Sequence, residues 1–227
     1  MGKLLAVGFD LDGTLFDHRG AAQAGLDGFL RSLGVDPCQE TRATWFIAES
    51  EQFERWRAGL ISFQEQRRER LRIVLSMIGL SIPMNVEDLD ELFELYLSAY
   101  REAWRPFPDS AEVLATLRAA GYRIGVLTNG TQEQQIDKLH TIGLSSAIEV
   151  VCTSEQIGVQ KPDPRAFLEL AQRLDVVPPA CLFVGDSADQ DIAGARKAGM
   201  QALLIDRYGD HTAGIASAVQ STLANDR

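Results

Sequence analysis

The feature that most constrains this chain is a recurring unit: a short apolar run, an abrupt polar turn, then a stretch with helical periodicity. The apolar runs are Leu4–Phe9, Tyr122–Leu127, Ile148–Cys152, Cys181–Val184 and Gln201–Ile205. Leu4–Phe9 is apolar throughout instead of alternating, which marks a strand buried on both faces, as in the interior of a parallel sheet. Helix signals fill the gaps. Asp109 reads as the N-cap of a helix reaching Ala120, stopped by Gly121, and a second helix from Gln132 to Ile142 closes at Gly143. Asp163 caps a third, with Pro164 at its first position, that runs to about Leu174; a fourth stops at Gly199. Strand–helix alternation of this kind predicts an α/β fold with a doubly wound, mainly parallel, Rossmann-like sheet.

Between the first strand and the second the character changes. From Gly20 to Trp104 the chain is charged and helical, with no convincing strand. Leu89, Leu92, Phe93, Tyr96, Tyr100 and Trp104 recur at three- and four-residue steps as one helix face, with Asn85 placed to cap it. Arg105-Pro106-Phe107-Pro108 is a stiff, non-helical return. The expected domains are therefore a catalytic core of residues 1–16 and 107–227 and a small all-helical cap of residues 17–106, with hinges at 17–20 and 104–108. Within the cap, Trp45, Phe46, Phe53 and Trp56 read as core packing, and Arg57, Arg67, Arg68, Arg70 and Arg72 as a charged helix face in water. Gly209–Arg227 is weakly patterned, with a helix expected over Ile215–Leu223.

Charge narrows the partners. Acids outnumber bases by 32 to 22, a formal charge of −10, so the surface lacks the basic footprint that a nucleic acid polymer or an anionic membrane requires. Cys38, Cys152 and Cys181 show no metal or redox spacing and read as reduced thiols. The apolar run before Asp10 is too short for a signal peptide or a membrane span, so a cytoplasmic location is expected, as a monomer or homodimer. His18, His140 and His211 stand apart from one another and read as surface residues.

In such sheets ligands bind beyond the carboxyl ends of the strands. Three polar clusters fall there: Asp10/Asp12, Thr128/Asn129 and Asp186/Asp191. If the strands carrying the acids are neighbours, the carboxylates repel one another unless a cation neutralises them. Oxygen ligands without nearby His or Cys suit Mg²⁺ over zinc. Thr128 and Asn129 can donate hydrogen bonds, backbone N–H groups at a strand-to-helix turn form an anion site, and Lys161 brings a fixed positive charge. Those are the parts that phosphoryl transfer needs, and a carboxylate can itself be the nucleophile.

Together these motifs resemble the haloacid dehalogenase-like hydrolase superfamily over nearly the whole chain outside the cap. The first motif stands as Phe9-Asp10-Leu11-Asp12-Gly13-Thr14-Leu15 and the second as Leu127-Thr128-Asn129-Gly130. The third is Lys161-Pro162-Asp163-Pro164, and the fourth runs from Val184-Gly185-Asp186-Ser187 through Ala188-Asp189-Gln190-Asp191. The resemblance implies Asp10 as nucleophile and metal ligand, and Asp12 as general acid, then base, with its backbone carbonyl on the metal. It implies Thr128, Asn129 and Gly130 as the phosphoryl grip, Lys161 as charge compensation, and Asp186 and Asp191 as Mg²⁺ supports. Thr14 would brace the first loop, and Asp189 reads as a first-turn helix acid.

Asp12 separates the branches: the dehalogenases lack an acid there, so its presence points to a phosphatase acting on a small phosphate ester. The helical insert is similar to the caps of phosphoglycolate phosphatases, β-phosphoglucomutase and small nucleotidases. Trp56-Arg57-Ala58-Gly59-Leu60-Ile61-Ser62 leans toward nucleotidase-like and acylneuraminate-phosphate-phosphatase-like members. A phosphomutase would share the four motifs. A receiver-like signalling domain would share the acid pocket, but it is about half as long, has no cap and carries its phosphoacceptor on a middle strand.

Overall fold

A computed structural model describes residues 3–209 and 215–224; His211, Met1 and Gly2 lie outside them. The chain forms two compact units, Met1–His18 with Trp104–Arg227, and Arg19–Ala103.

The first unit is built on a five-stranded sheet in the order β3-β2-β1-β4-β5. The strands are β1 (Ala6–Phe9), β2 (Arg123–Thr128), β3 (Val150–Thr153), β4 (Cys181–Gly185) and β5 (Gln201–Leu204). Every neighbouring pair is parallel, and Phe9 at the end of β1 is level with Val126 of β2 and Val184 of β4. That register brings the exits of β2, β1 and β4 side by side on one edge. It also makes the acid-bearing strands β1 and β4 direct neighbours.

Burial explains the runs. All four β1 residues are buried, and helix α8 (Pro164–Arg173) turns Ala166, Phe167, Leu170 and Ala171 onto the sheet. The rings of Phe167 and Phe183 meet edge to face at 4.9 Å. Truncating a ring so enclosed costs about 3–5 kcal/mol. Helices α5 (Ser110–Ala119), α6 (Gln132–Thr141), α7 (Ser154–Ile157), α9 (Ala193–Lys197) and α10 (Ile215–Ala224) complete this unit. Asp163 caps α8 as expected, accepting from the Arg165 N–H at 2.9 Å.

The second unit holds α1 (His18–Ser32, whose first residue belongs to the first unit), α2 (Gln39–Arg57), α3 (Phe63–Met77) and α4 (Val86–Glu102). Asn85 caps α4 through Asp88 N–H at 2.8 Å, and Ser62 caps α3 through Glu65 N–H at 3.0 Å. Trp45, Phe93, Tyr96 and Tyr100 are buried together, as the packing reading expected of Trp45.

Local readings differ in four places. Arg70 is buried, paired with Glu49 at 2.7 Å and lying over the Trp45 ring, so it belongs to the interior and not to a solvated face. Trp104 lies past the end of α4, within the first unit, and packs there against Phe16 at 6.2 Å. Asp109 makes no side-chain cap; its carboxylate accepts from Arg207 and from Ile215 N–H, both at 2.8 Å. A single π-helical turn, Ala188–Ile192, precedes α9 where regular helix was expected.

Candidate active site

Asp10 continues the line of β1, its N–H donating to the Val184 carbonyl at 2.9 Å. The chain then folds back: the Leu11 carbonyl accepts from Leu15 N–H at 3.0 Å and Phe16 N–H at 2.9 Å. Gly13, at φ 91°, lies where a Cβ would overlap the Asp186 carboxylate, so the turn needs glycine twice over. A Cβ on Gly185 would likewise strike Asp191, and its absence lets that side chain fold under the strand end. Arg207 braces the loop from outside, donating to the Thr14 carbonyl at 3.0 Å.

Three acids from two strand exits converge. One carboxylate oxygen each from Asp10, Asp186 and Asp191 lies within 4.8 Å of the others. Lys161 sits against two of them, its Nζ 2.5 Å from Asp10 Oδ1 and 2.6 Å from Asp191 Oδ1. Ser187 N–H donates to Asp191 Oδ2 at 3.0 Å. Asp10 Oδ2 remains buried with no hydrogen-bond partner. An orphaned oxygen on one of three converging carboxylates fits a small, hard divalent cation, and the all-oxygen donor set fits Mg²⁺. Asp191, buried, is the second acid of the fourth motif that joins this cluster; Asp189 faces solvent and is not among the three.

The electrostatics follow from the geometry. Burial raises the Asp10 carboxyl well above its usual range; Lys161 pulls it down, and the charges of Asp191 and Asp186 push it up again. Burial, reinforced by Asp191, pushes Asp186 up to about 6. Lys161 is held above the ordinary lysine value, because Asp10 and Asp191 outweigh the burial that disfavours its charge. Asp12 goes the other way: burial acts upward, but Lys138 and His18 bring the carboxyl below its usual value.

The Asp12 carboxylate is not part of the triad. Lys138 Nζ reaches Asp12 Oδ1 at 2.6 Å and Gln135 Nε2 reaches Oδ2 at 2.9 Å. Gln135 also donates to the Thr128 hydroxyl at 2.8 Å, which leaves the Thr128 proton free to point at an anion. Asn129 is committed to the third motif: its Oδ1 accepts from Lys161 N–H at 2.9 Å and its Nδ2 donates to the Lys161 carbonyl at 3.1 Å. Gly130 N–H donates to Ser154 Oγ at 2.9 Å, so as placed it serves the turn. Gln135, Lys138 and Ser154 escaped the sequence reading. In the run Gln132–Lys138 every residue but Ile136 is polar, which looks solvated; only the three-residue step from Gln135 to Lys138 hints at a shared face. The buried thiols of Cys152 and Cys181 are pushed up to about 11 and about 12, which keeps them protonated and inert.

A sequence model of the haloacid dehalogenase-like hydrolases matches residues 4–199. The chain is 30% identical to a glyceraldehyde 3-phosphate phosphatase of Methanopyrus kandleri, over 89% of this chain and 84% of that protein. It is 33% identical to a ribulose-1,5-bisphosphate 5-phosphatase of Halopiger xanaduensis, over 88% and 84%. Among solved structures, the HAD-hydrolase YfnB of Bacillus subtilis, solved bound to magnesium, superposes with a TM-score of 0.80 at 18% identity, all of both chains covered. At that identity the likeness speaks for the fold alone.

Proposed function

This chain belongs to the haloacid dehalogenase-like hydrolase family, and from that premise we propose a Mg²⁺-dependent phosphatase of small phosphate esters that works through a phosphoryl group carried on Asp10. The observation that carries the reading is the convergence of Asp10, Asp186 and Asp191, with Lys161 on Asp10 Oδ1 and the buried Asp10 Oδ2 left without a hydrogen-bond partner.

Asp10, Asp186, Asp191 and the Asp12 backbone carbonyl would hold the cation, which when bound offsets carboxylate repulsion and the charge on the phosphoryl oxygens. Asp10 attacks phosphorus as the bond to the ester oxygen breaks, and Asp12, which takes up a proton when the anionic ester binds beside it, gives that proton to the oxygen, releasing the alcohol. Asp12, now a carboxylate, takes a proton from water as the water oxygen attacks phosphorus. The bond to Asp10 breaks, inorganic phosphate leaves, and both acids return to their starting state. Thr128 donates its hydroxyl to the phosphoryl oxygens, with Asn129 and Gly130 shaping that grip, and Lys161 restrains Asp10 while balancing charge. The helical unit serves as the cap domain. Among the described residues no helix is long and apolar enough to cross a membrane, and the three cysteines are free; the second fact accords with a cytoplasmic setting.

The test is phosphate release from a panel of phosphorylated metabolites, with and without Mg²⁺, for wild type and Asp10→Asn. The relatives make glyceraldehyde 3-phosphate and ribulose-1,5-bisphosphate the first esters to try. Metal-dependent release that Asp10→Asn abolishes is expected, and free phosphate as product separates the enzyme from a phosphomutase. No release from any ester by folded, Mg²⁺-loaded protein overturns the reading.

A further inference from the structure

Two side chains with no role in that chemistry are buried against it. Lys138 and Gln135 lie on one face of α6, each 3% exposed, and between them they engage both oxygens of Asp12. A lysine taken out of water at a position where a helix ordinarily packs an apolar residue is costly unless its charge is matched. Lys138 is matched by Asp12 at 2.6 Å, with its ammonium also 5.0 Å above the Phe16 ring. Gln135 does more than hold one acid. Its single amide nitrogen lies within reach of Asp12 Oδ2 at 2.9 Å, the Thr128 hydroxyl at 2.8 Å and the Asn129 carbonyl at 3.2 Å. With two protons for three acceptors, it links the proton-transfer group to the phosphoryl grip, and a movement of one is felt by the other.

We propose that Lys138 and Gln135 are positioning residues: they fix the direction of the Asp12 carboxylate and set it relative to the Thr128 hydroxyl, so that the proton donor and the phosphoryl grip share one helix face. This rests on the phosphatase reading above, with Asp12 as the proton donor. Both act through Asp12 and Thr128, and neither is given a bond to the ester. Their effect therefore falls on the step in which Asp12 protonates the leaving oxygen, and is small where the leaving group needs no proton.

The experiment compares the first turnover of p-nitrophenyl phosphate, whose leaving group departs readily as an anion, with that of phenyl phosphate, whose leaving group does not. Wild type, Lys138→Met, Lys138→Arg and Gln135→Met are mixed with each ester and Mg²⁺, and the burst of released phenol is followed. General acid catalysis contributes about 10²–10⁴-fold, so misaiming the acid should cost Lys138→Met and Gln135→Met about tenfold or more on phenyl phosphate, and under about threefold on the nitrophenyl ester. Lys138→Arg, which keeps the charge, should recover part of the loss. Equal losses on both esters, or none on either, overturn the proposal, because a merely structural role does not sense the leaving group. If Lys138→Met does not fold, Gln135→Met and Lys138→Arg decide by the same comparison. Wild type inert toward both esters and toward every metabolite of the panel sinks the phosphatase reading and this inference with it; active wild type with no leaving-group dependence among the variants sinks the inference alone.

Discussion

The Lys161 ammonium stands 2.5 Å from the Asp10 carboxylate, with both side chains buried, and reaches Asp191 on its other side. Lys161→Met would strand two buried acids beside Asp186. Removing one partner of a buried pair costs about 3–5 kcal/mol. The variant should melt well below wild type in metal-free buffer and gain more from added Mg²⁺, since the cation then supplies the missing positive charge. Thermal melts with and without Mg²⁺ check this; equal gains for the two proteins would contradict it.

Asp186, pushed up to about 6, carries a proton that competes with any cation for the site. Its carboxylate is free above that pH and increasingly protonated below it, so Mg²⁺ affinity should fall as pH drops through 6 and level off above about 7. Calorimetric titration with Mg²⁺ between pH 5 and 8 reads this directly, and Asp186→Asn should abolish the pH dependence along with most of the affinity.

In the helical unit, Arg68 grips Asp90 at 2.8 and 2.6 Å, with Gln64 adding a third bond at 2.7 Å. These hydrogen bonds, Arg68 first, hold the Asp90 carboxyl down at about 2. A carboxyl depressed in the folded state contributes stability above its unfolded value of about 3.9, and that contribution is lost as pH falls toward 2. Denaturant titrations from pH 5 to pH 2 should show a shallower acid loss for Asp90→Asn than for wild type. The difference should be small, because both side chains meet solvent.

Gly13→Ala should damage the site more than the fold. The left-handed backbone at φ 91° costs an alanine about 1–2 kcal/mol, and the new methyl overlaps the Asp186 carboxylate. A modest drop in melting temperature should accompany a loss of Mg²⁺ binding of tenfold or more; retained affinity would show that Asp186 can move aside at no cost.

Much of this was legible because strand ends announce themselves. An apolar run that stops at Asp10 or Asp186 fixes which residues reach the rim, whatever the sheet order. The order itself is a long-range matter: nothing local in Cys181–Gly185 says that it pairs with Ala6–Phe9, and only that pairing makes three acids a cluster. Side chains whose partners are equally distant were misread or overlooked. Lys138 and Gln135 look solvated until α6 is laid beside the first loop, and Arg70 until the Trp45 ring is found beneath it. Asp109 stands at the N-cap position of α5 as expected, but Arg207 and Ile215, far along the chain, take the oxygens that would have capped it.

The central place of β1 has a consequence for how the protein is made. Both of its neighbours come later in the chain, β2 beginning at Arg123 and β4 at Cys181. On a ribosome the apolar segment Ala6–Phe9 therefore emerges long before either edge that will cover it. At ordinary elongation rates β4 follows roughly ten to thirty-five seconds after β1. Until β2 is made the strand leading to Asp10 has no permanent partner, and until β4 is made it has only one, so the sheet is a late, post-insert assembly and the nascent chain is exposed to mispairing and to chaperones.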